Sequence, residues 1–161
     1  MEGVIGDILS ERNLTISIAE SCTGGLIGNL ITNIPGSSHY FLGGIIAYSN
    51  QSKEDLLNVS SETIKKYGAV SDQTVQEMAE GVKKRFKSNM GLAVTGIAGP
   101  GGGSKEKPVG TVFIGLAVGN EIFSGKYSFH GTREQIKQKT AYTSLDFIRR
   151  YLNGDPFLPG I

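Results

Sequence analysis

The order of helical and extended patterns is the feature that most constrains how this chain can fold. Residues 4–9 carry apolar side chains at helical spacing, and residues 14–18 then alternate as a strand does. Helices and strands keep alternating until two strand patterns meet at Gly119 and Asn120, a pair typical of a tight hairpin turn. Early alternation favours parallel strands, whereas a late hairpin adds antiparallel ones. The order therefore predicts a mixed sheet between helical layers.

The remaining elements have recognisable boundaries. Residues 26–34 read as a helix that Pro35 and Gly36 stop, and the next apolar run predicts a buried strand that ends near Tyr48. We expect Ser71 to cap one long helix and Thr132, with Gln135, to open the last one through a capping box. The core-facing residues predicted for these two helices are Val75, Met78, Ala79, Val82, Phe86, Ile136, Leu145, Ile148 and Leu152.

Length and composition narrow the class of protein. A chain of 161 residues predicts a single domain, residues 1–161. Lys and Arg number 16 and Asp and Glu 15, so net charge gives no reason to expect nucleic acid or an acidic membrane surface as a partner. The single cysteine, Cys22, excludes an intrachain disulfide and a metal site built from several thiolates. With no apolar run long enough to cross a bilayer and no signal-like start, we expect a cytoplasmic protein.

The first candidate site is the stretch AESCTGG, residues 19–25, where a predicted strand passes into a helix. Free backbone N–H groups at such a helix start can stabilise an oxyanion, which would suit Ser21 as a nucleophile. On residue type alone, a helix cap is the commoner role for Ser21 or Thr23. The stretch lacks the G-x-S-x-G pattern of an α/β-hydrolase.

The second candidate is AYSNQSK, with Tyr48 at the end of a predicted strand and Lys53 five residues later. A lysine that is desolvated enough to lose its proton can act with a tyrosine and a serine in proton transfer. A solvated lysine in the first turn of a helix is the ordinary alternative. Short-chain dehydrogenases use a tyrosine and a lysine four residues apart, but the spacing here is five and their glycine motif is absent.

The third candidate is the glycine-rich stretch VTGIAGPGGGS, which follows another predicted strand. Its main-chain N–H groups could lie against a phosphate or a ribose, although the Walker sequence is absent and a mobile surface loop is an equal alternative. Arg133, in the first turn of the last helix, could pair with a phosphate or a carboxylate. His39 and His130 belong to no metal-ligand pattern, so we predict no metal.

Together and in this order, AESCTGG, PGSSHYFLGGIIAYSNQSK and AVTGIAGPGGGSKEKPVGTVFIGLA resemble the CinA C-terminal domain family over residues 5–152. The resemblance implies a three-layer α/β/α sandwich with a mixed sheet, commonly as a homodimer. It also implies the activity of stand-alone nicotinamide-nucleotide amidases, which convert nicotinamide mononucleotide to nicotinate mononucleotide and ammonia in pyridine nucleotide salvage. Larger members carry a further N-terminal domain with a pyrophosphatase activity of its own.

The resemblance also assigns roles to residues. It places catalytic function on Ser21, Tyr48 and Lys53 and needs neither metal nor cofactor. The substrate-binding positions expected in this way are Thr23, Gly24, Gly25, Thr95, Gly99, Gly101, Gly102, Gly103 and Arg133. We expect the 5′-phosphate at the glycine-rich stretch and Arg133, and the oxyanion at the N–H groups of residues 23–25.

Two questions stay open at the level of sequence. A thiolate is the stronger nucleophile, but Cys22 has no histidine partner in any motif, so the resemblance favours Ser21 and leaves Cys22 as a small buried residue. The alternative to an enzyme is a catalytically idle module that binds nucleotides or a partner through the same pocket.

Overall fold

A mixed β-sheet forms the middle layer of the structure, a computed structural model that describes residues 1–156. Residues 157–161, the end of the predicted domain, lie outside the described part of the chain. The strands are β1 (Ile16–Glu20), β2 (Phe41–Ile46), β3 (Met90–Gly96), β4 (Thr111–Val118) and β5 (Glu121–Ser128).

The strand order explains where the sheet is parallel and where it is not. In the order β2-β1-β3-β4-β5, β1 runs parallel to both β2 and β3, and β4 and β5 add antiparallel pairs. Residues 119–120 join β4 to β5, and Gly119 supplies a positive φ of 56°. The predicted mixed sheet with a late hairpin is therefore confirmed.

Helices cover both faces of the sheet. Their bounds are α1 (Glu2–Glu11), α2 (Leu26–Thr32), α3 (Asn50–Leu57), α4 (Ser61–Tyr67), α5 (Asp72–Phe86) and α6 (Arg133–Asn153). Buried side chains of α1, α2 and α6 form one apolar core with the sheet, while α5 packs against the other face and α3 and α4 pack against α5. The three-layer α/β/α sandwich is confirmed. Among residues 1–156, no helix combines the length and the apolar character needed to cross a bilayer.

The predicted helix caps form as expected. Ser71 Oγ accepts a hydrogen bond from the main-chain N–H of Thr74 at 3.2 Å, which caps α5. At the start of α6, the side chains of Thr132 and Gln135 each accept from the other residue's main-chain N–H. These contacts satisfy N–H groups that a helix start leaves without partners.

Two predicted elements differ from the structure. Val4 belongs to the apolar stripe of α1 in the sequence, yet it is 52% exposed, while Ile5 and Leu9 face the core. The strand predicted to be buried up to Tyr48 is β2, which ends at Ile46, lies at the edge of the sheet and alternates between half-buried and exposed residues. An edge strand has a neighbour on one side only, which apolar composition cannot reveal.

Helices α3 and α5 approach unusually closely at Gly81. A Cβ at this position in α5 would overlap the carbonyl oxygen of Leu57, the last residue of α3. Because glycine has no side chain, the two backbones come into direct contact. This contact sets the distance between α5 and the helix that carries Lys53.

Candidate active site

Three predicted site residues meet at the carboxyl ends of the parallel strands. Ser21 follows β1 directly, Tyr48 lies two residues after β2, and Thr95 is near the end of β3. The main-chain N–H of Ser21 donates to Val94 O on β3 at 3.2 Å, which continues the strand pairing beyond β1. Open α/β sheets bind ligands at this edge, because the loops that follow parallel strands converge there.

Lys53 reaches Ser21 from helix α3. Its Nζ lies 3.0 Å from Ser21 Oγ, 2.8 Å from Ala47 O and 3.4 Å from Tyr48 O. The residue is only 1% exposed, although it lies in the first turns of a polar helix. The structure therefore contradicts the solvated alternative and joins a buried amine to the candidate nucleophile.

The surroundings of Lys53 shift its amine towards the neutral form. Burial lowers the pKa of Lys53 because a charged ammonium loses its hydration there. Two of its three oxygen neighbours are main-chain carbonyls of residues 47 and 48, which can only accept hydrogen bonds. A neutral amine has two N–H bonds for these carbonyls, so its lone pair is left for the Ser21 hydroxyl. This is the arrangement that a general base requires.

Cys22, next to Ser21, has the opposite character. It is 6% exposed, and burial raises the pKa of its thiol to about 12. None of the described residues that line the cavity at Ser21 is a histidine, which could accept the thiol proton. The thiol therefore stays protonated near neutral pH, whereas nucleophilic attack needs a thiolate.

Arg133 connects Tyr48 to the glycine-rich loop that follows β3. Its guanidinium donates to Tyr48 Oη at 2.8 Å and to Gly99 O at 2.7 Å. The phenol is otherwise open, since Tyr48 is 60% exposed. Within residues 1–156 its hydroxyl contacts Arg133 rather than Ser21 or Lys53, so its own O–H remains available to a ligand.

The predicted site residues surround two neighbouring cavities. A cavity of about 270 Å³, here called the catalytic cavity, is lined by Ser21, Tyr48, Lys53, Thr95, Gly99, Gly101, Gly102 and Arg133, together with seven others. A cavity of about 680 Å³, here called the α2–α6 cavity, is lined by Thr23, Gly24, Gly25 and Arg133, together with five others. Arg133 lines both.

The glycines of the loop after β3 have different reasons to be glycine. A Cβ at Gly99 or Gly103 would collide with Val109, so these two positions are set by the packing of the loop on itself. Gly103 lines neither cavity, so it does not lie with the other residues that were predicted to bind the substrate. Gly101 faces open space and Gly102 has a positive φ of 85°. The buried Thr95 hydroxyl donates to Ala69 O at 2.8 Å and supports the cavity wall.

The carboxylate of Glu20 binds the start of α2, where the sequence predicted an oxyanion site. One carboxylate oxygen accepts from the N–H groups of Gly25 at 2.9 Å and Ile27 at 3.2 Å, and the other accepts from Gly28 at 2.8 Å. The N–H of Gly24 donates to Ser21 O. Of the three N–H groups expected to hold an oxyanion, only that of Thr23 makes no hydrogen bond within residues 1–156.

Sequence reasoning therefore missed the role of Glu20 and the position of Asn50. Glu20 replaces Ser21 and Thr23 as the acceptor at α2, whose N-cap residue, Gly25, has no side chain to do so. A carboxylate at a strand end, five residues before a helix start, was the available signal. Asn50, the first residue of α3, lines the catalytic cavity. In the described part of the chain, no group of three or more His, Cys, Asp or Glu side chains could hold a metal ion.

Comparisons with known proteins identify the family of this chain. The family model "CinA C-terminal domain" matches residues 1–152. A CinA-like protein of Thermotoga maritima is 46% identical over 154 residues, which cover 96% of this chain and 38% of that protein. A relative from Halothermothrix orenii bears the name of a competence-damage inducible protein. It is 53% identical over 149 residues, which cover 92% of this chain and 36% of the relative. The chain thus spans little more than a third of the length of these relatives.

A solved structure shares the architecture. The competence/damage inducible protein CihA from Agrobacterium tumefaciens superposes with a TM-score of 0.91 and 41% sequence identity, covering 94% of this chain and 93% of that one. The family model and this similarity extend over nearly the whole described chain. The chain belongs to the CinA C-terminal domain family.

Proposed function

We propose that this protein is a nicotinamide-nucleotide amidase that hydrolyses the carboxamide of nicotinamide mononucleotide to nicotinate mononucleotide and ammonia, a step of pyridine nucleotide salvage. The observation that carries the proposal is the 3.0 Å contact between Lys53 Nζ and Ser21 Oγ at a buried position. A serine paired with a buried amine suits hydrolysis of an amide, which water alone attacks slowly.

The first chemical step is acylation of Ser21. Neutral Lys53 takes the hydroxyl proton as Ser21 Oγ forms a bond to the carboxamide carbon, and the carbonyl oxygen becomes an oxyanion. The resulting Lys53 ammonium is held by Ala47 O and Tyr48 O. When the carbon–nitrogen bond breaks, a proton goes to the departing nitrogen and ammonia leaves. An ester between Ser21 and the nicotinate group remains.

The second step is hydrolysis of that ester. Lys53, neutral again after giving its proton to the leaving group, removes a proton from water, and the hydroxide attacks the ester carbon. The bond to Ser21 Oγ breaks, the serine regains its proton from Lys53, and the acid product releases its own proton to solvent and leaves as the carboxylate. No metal or cofactor takes part in this scheme.

Tyr48 and Thr23 complete the scheme as hydrogen-bond donors. Arg133 donates to Tyr48 Oη, which leaves the phenol O–H free to donate to the substrate amide or to the leaving nitrogen. Of the N–H groups of residues 23–25, that of Thr23 is the one without a hydrogen bond in the described part of the chain, and we assign it to the oxyanion. A donor of this kind contributes ~3 kcal/mol to catalysis in other hydrolases.

The biological setting belongs to the same proposal. A cytoplasmic location suits the single cysteine, Cys22, which excludes an intrachain disulfide. A homodimer or a higher homo-oligomer is the assembly that the family resemblance implies.

Ammonia release from a matched set of compounds tests the function. The set is nicotinamide, its riboside, its mononucleotide and the dinucleotide, each with wild-type protein and with Ser21→Ala. We expect the mononucleotide to be the best substrate, since a bound phosphate helps to position the carboxamide. Ser21→Ala should release no ammonia while it still binds the mononucleotide.

Two outcomes would contradict the proposal. Absence of ammonia from every compound, with tight binding of the mononucleotide by folded wild-type protein, would favour the catalytically idle nucleotide-binding module. Equal rates on nicotinamide and its mononucleotide would remove the phosphate-dependent positioning from the scheme.

A further inference from the structure

The α2–α6 cavity borders the catalytic cavity, and Arg133 lines both. Ser21 and Cys22 line the catalytic cavity, whereas Thr23 and Gly24, the next residues, line the α2–α6 cavity. A ligand with its reacting group at Ser21 and its other end at Thr23 and Gly24 would lie along Arg133.

The α2–α6 cavity is lined by two cationic side chains, Arg133 and Lys137, which differ in the hydrogen bonds that they make within the protein. Arg133 donates to Tyr48 Oη and to Gly99 O, so its guanidinium holds protein groups together. Lys137, one helical turn further along α6, makes no hydrogen bond or ion pair within the described residues. The one carboxylate of the lining, Glu134, accepts from Gln138 at 3.5 Å and not from Lys137. Lys137 is thus the unpaired cation of this cavity.

The ammonium of Lys137 lies next to the backbone at Gly24. Gly24 has a positive φ of 63°, and a Cβ there would lie 3.8 Å from Lys137 Nζ. The ammonium therefore lies directly beside the turn that carries Ser21. Its charge is close enough to lower the pKa of Cys22, against the larger opposing effect of burial. Thr23, fully buried at the same turn, has an Oγ1 without a hydrogen-bond partner among the described residues.

We propose that the α2–α6 cavity binds the phosphate monoester of the substrate and that Lys137 is the residue that selects for it. The inference rests on the proposed function and moves the phosphate from the glycine-rich loop to this cavity. A phosphate monoester carries a charge between about −1.5 and −2 near neutral pH, which an unpaired ammonium beside a polar cavity attracts. Lys137 then acts on the non-reacting end of the substrate, while Ser21 and Lys53 act on the carboxamide.

In the described part of the chain, the glycine-rich loop places neither of its lysines in the lining of the two cavities. Gly99 and Gly103 are explained by the packing of Val109, and Gly101 to Gly103 are exposed. Lys107, the loop's second lysine, is engaged by its Nζ with Tyr67 O at 2.7 Å. Among the described residues, the lysine that is both unpaired and part of the lining of a cavity next to Ser21 is Lys137.

Calorimetric titration with ribose 5-phosphate tests this assignment without relying on catalysis. Inorganic phosphate and ribose serve as comparison ligands, and the variants are Lys137→Gln, Lys137→Arg and the control Lys139→Gln. Lys139 is an exposed lysine of the same helix, and its Nζ contacts His130 O outside both cavities. We expect Lys137→Gln to weaken ribose 5-phosphate binding at least tenfold, Lys137→Arg to restore most of it, and Lys139→Gln to leave it within about twofold.

A kinetic measurement adds a readout that a purely structural role would not move. Lys137→Gln should lower kcat/KM for nicotinamide mononucleotide by roughly tenfold, mainly through KM, and leave kcat/KM for the riboside unchanged. Thermal melting of each variant confirms that the fold is intact.

The outcomes separate this inference from the amidase proposal. Equal binding of ribose 5-phosphate by wild-type and Lys137→Gln protein would overturn it, as would the absence of binding by the wild type at millimolar concentration. Binding that depends on Lys137, in a protein that releases no ammonia from the mononucleotide, would support the phosphate site and contradict the amidase function instead.

Discussion

Replacing Glu20 should destabilise the protein strongly, because one buried carboxylate closes the turn between β1 and α2. Its oxygens accept from Gly25, Ile27 and Gly28 at 2.8–3.2 Å, and the residue is almost fully buried. Glu20→Ala leaves three main-chain donors without an acceptor. The Ile27 N–H is fully buried, whereas those of Gly25 and Gly28 lie where water can reach part of the way.

The magnitude follows from these three contacts. A hydrogen bond to a charged group contributes about 1.5–3 kcal/mol, and an unsatisfied buried donor costs about 1–3 kcal/mol. Water can replace part of two contacts, and the variant no longer has to desolvate a carboxylate. We therefore expect Glu20→Ala to lower the free energy of unfolding by ~3 kcal/mol. At about 2–4 °C per kcal/mol for a chain of this size, Tm should fall by roughly 6–12 °C.

Urea unfolding at neutral pH measures the effect, with Glu20→Gln as the matched control. Glutamine keeps the side-chain volume and one acceptor oxygen but turns an NH₂ group towards the N–H groups of α2, so its loss should be intermediate. A loss below about 1 kcal/mol for Glu20→Ala, at an unchanged m-value, would refute the reasoning, since this is the scale of a single exposed helix cap.

Three further predictions concern the catalytic cavity. Cys22→Ala should keep most of the ammonia release, while Ser21→Ala loses several orders of magnitude at unchanged nucleotide affinity; a dead but folded Cys22→Ala beside an active Ser21→Ala would reverse the assignment. Burial lowers the pKa of Lys53 in the folded protein, whereas the unfolded chain keeps a lysine pKa of about 10.4. At pH values between these two pKa values, Lys53 is protonated in the unfolded chain and neutral in the folded protein. The free energy of unfolding should therefore rise with pH across this window. Lys53→Met should remove that slope in pH-dependent unfolding, and an unchanged slope would contradict a neutral Lys53. A lysine at position 133 cannot contact Tyr48 Oη and Gly99 O together as the guanidinium does. The losses of kcat in Arg133→Lys and Tyr48→Phe should therefore not add up to the loss in the double variant. Additive losses would show that the two residues act independently.

The layers of the fold followed from the sequence because they depend on short-range patterns. Helical spacing and caps at Ser71 and Thr132 located α5 and α6, and the turn at Gly119 located the hairpin. The position of β2 at the sheet edge did not follow, because it depends on which strands become neighbours. Residues far apart in the chain decide that order, and an apolar run contains no information about it.

The candidate site was only partly visible in the sequence. The family resemblance grouped Ser21, Tyr48 and Lys53, but the burial of Lys53 depends on how α3 packs against α5 and against the residues that follow β1 and β2. A hint was present, because Lys53 and the buried Leu57 are four residues apart and so share one face of α3. The engagement of Arg133 by Tyr48 and Gly99 could not be foreseen, since it joins segments 34 and 85 residues apart.

The contact between Gly81 and Leu57 has a consequence for protein engineering. Alanine is the better helix former, and exchanging a helical glycine for it ordinarily stabilises a protein by about 1 kcal/mol. Here the added methyl group would push on the carbonyl of Leu57 and move α3 outwards, and Lys53 travels with that helix. A stabilising exchange chosen by secondary structure alone would thus lengthen the 3.0 Å gap between amine and hydroxyl. Position 81 therefore sets the spacing between α5 and α3 and, through α3, the position of Lys53 relative to Ser21.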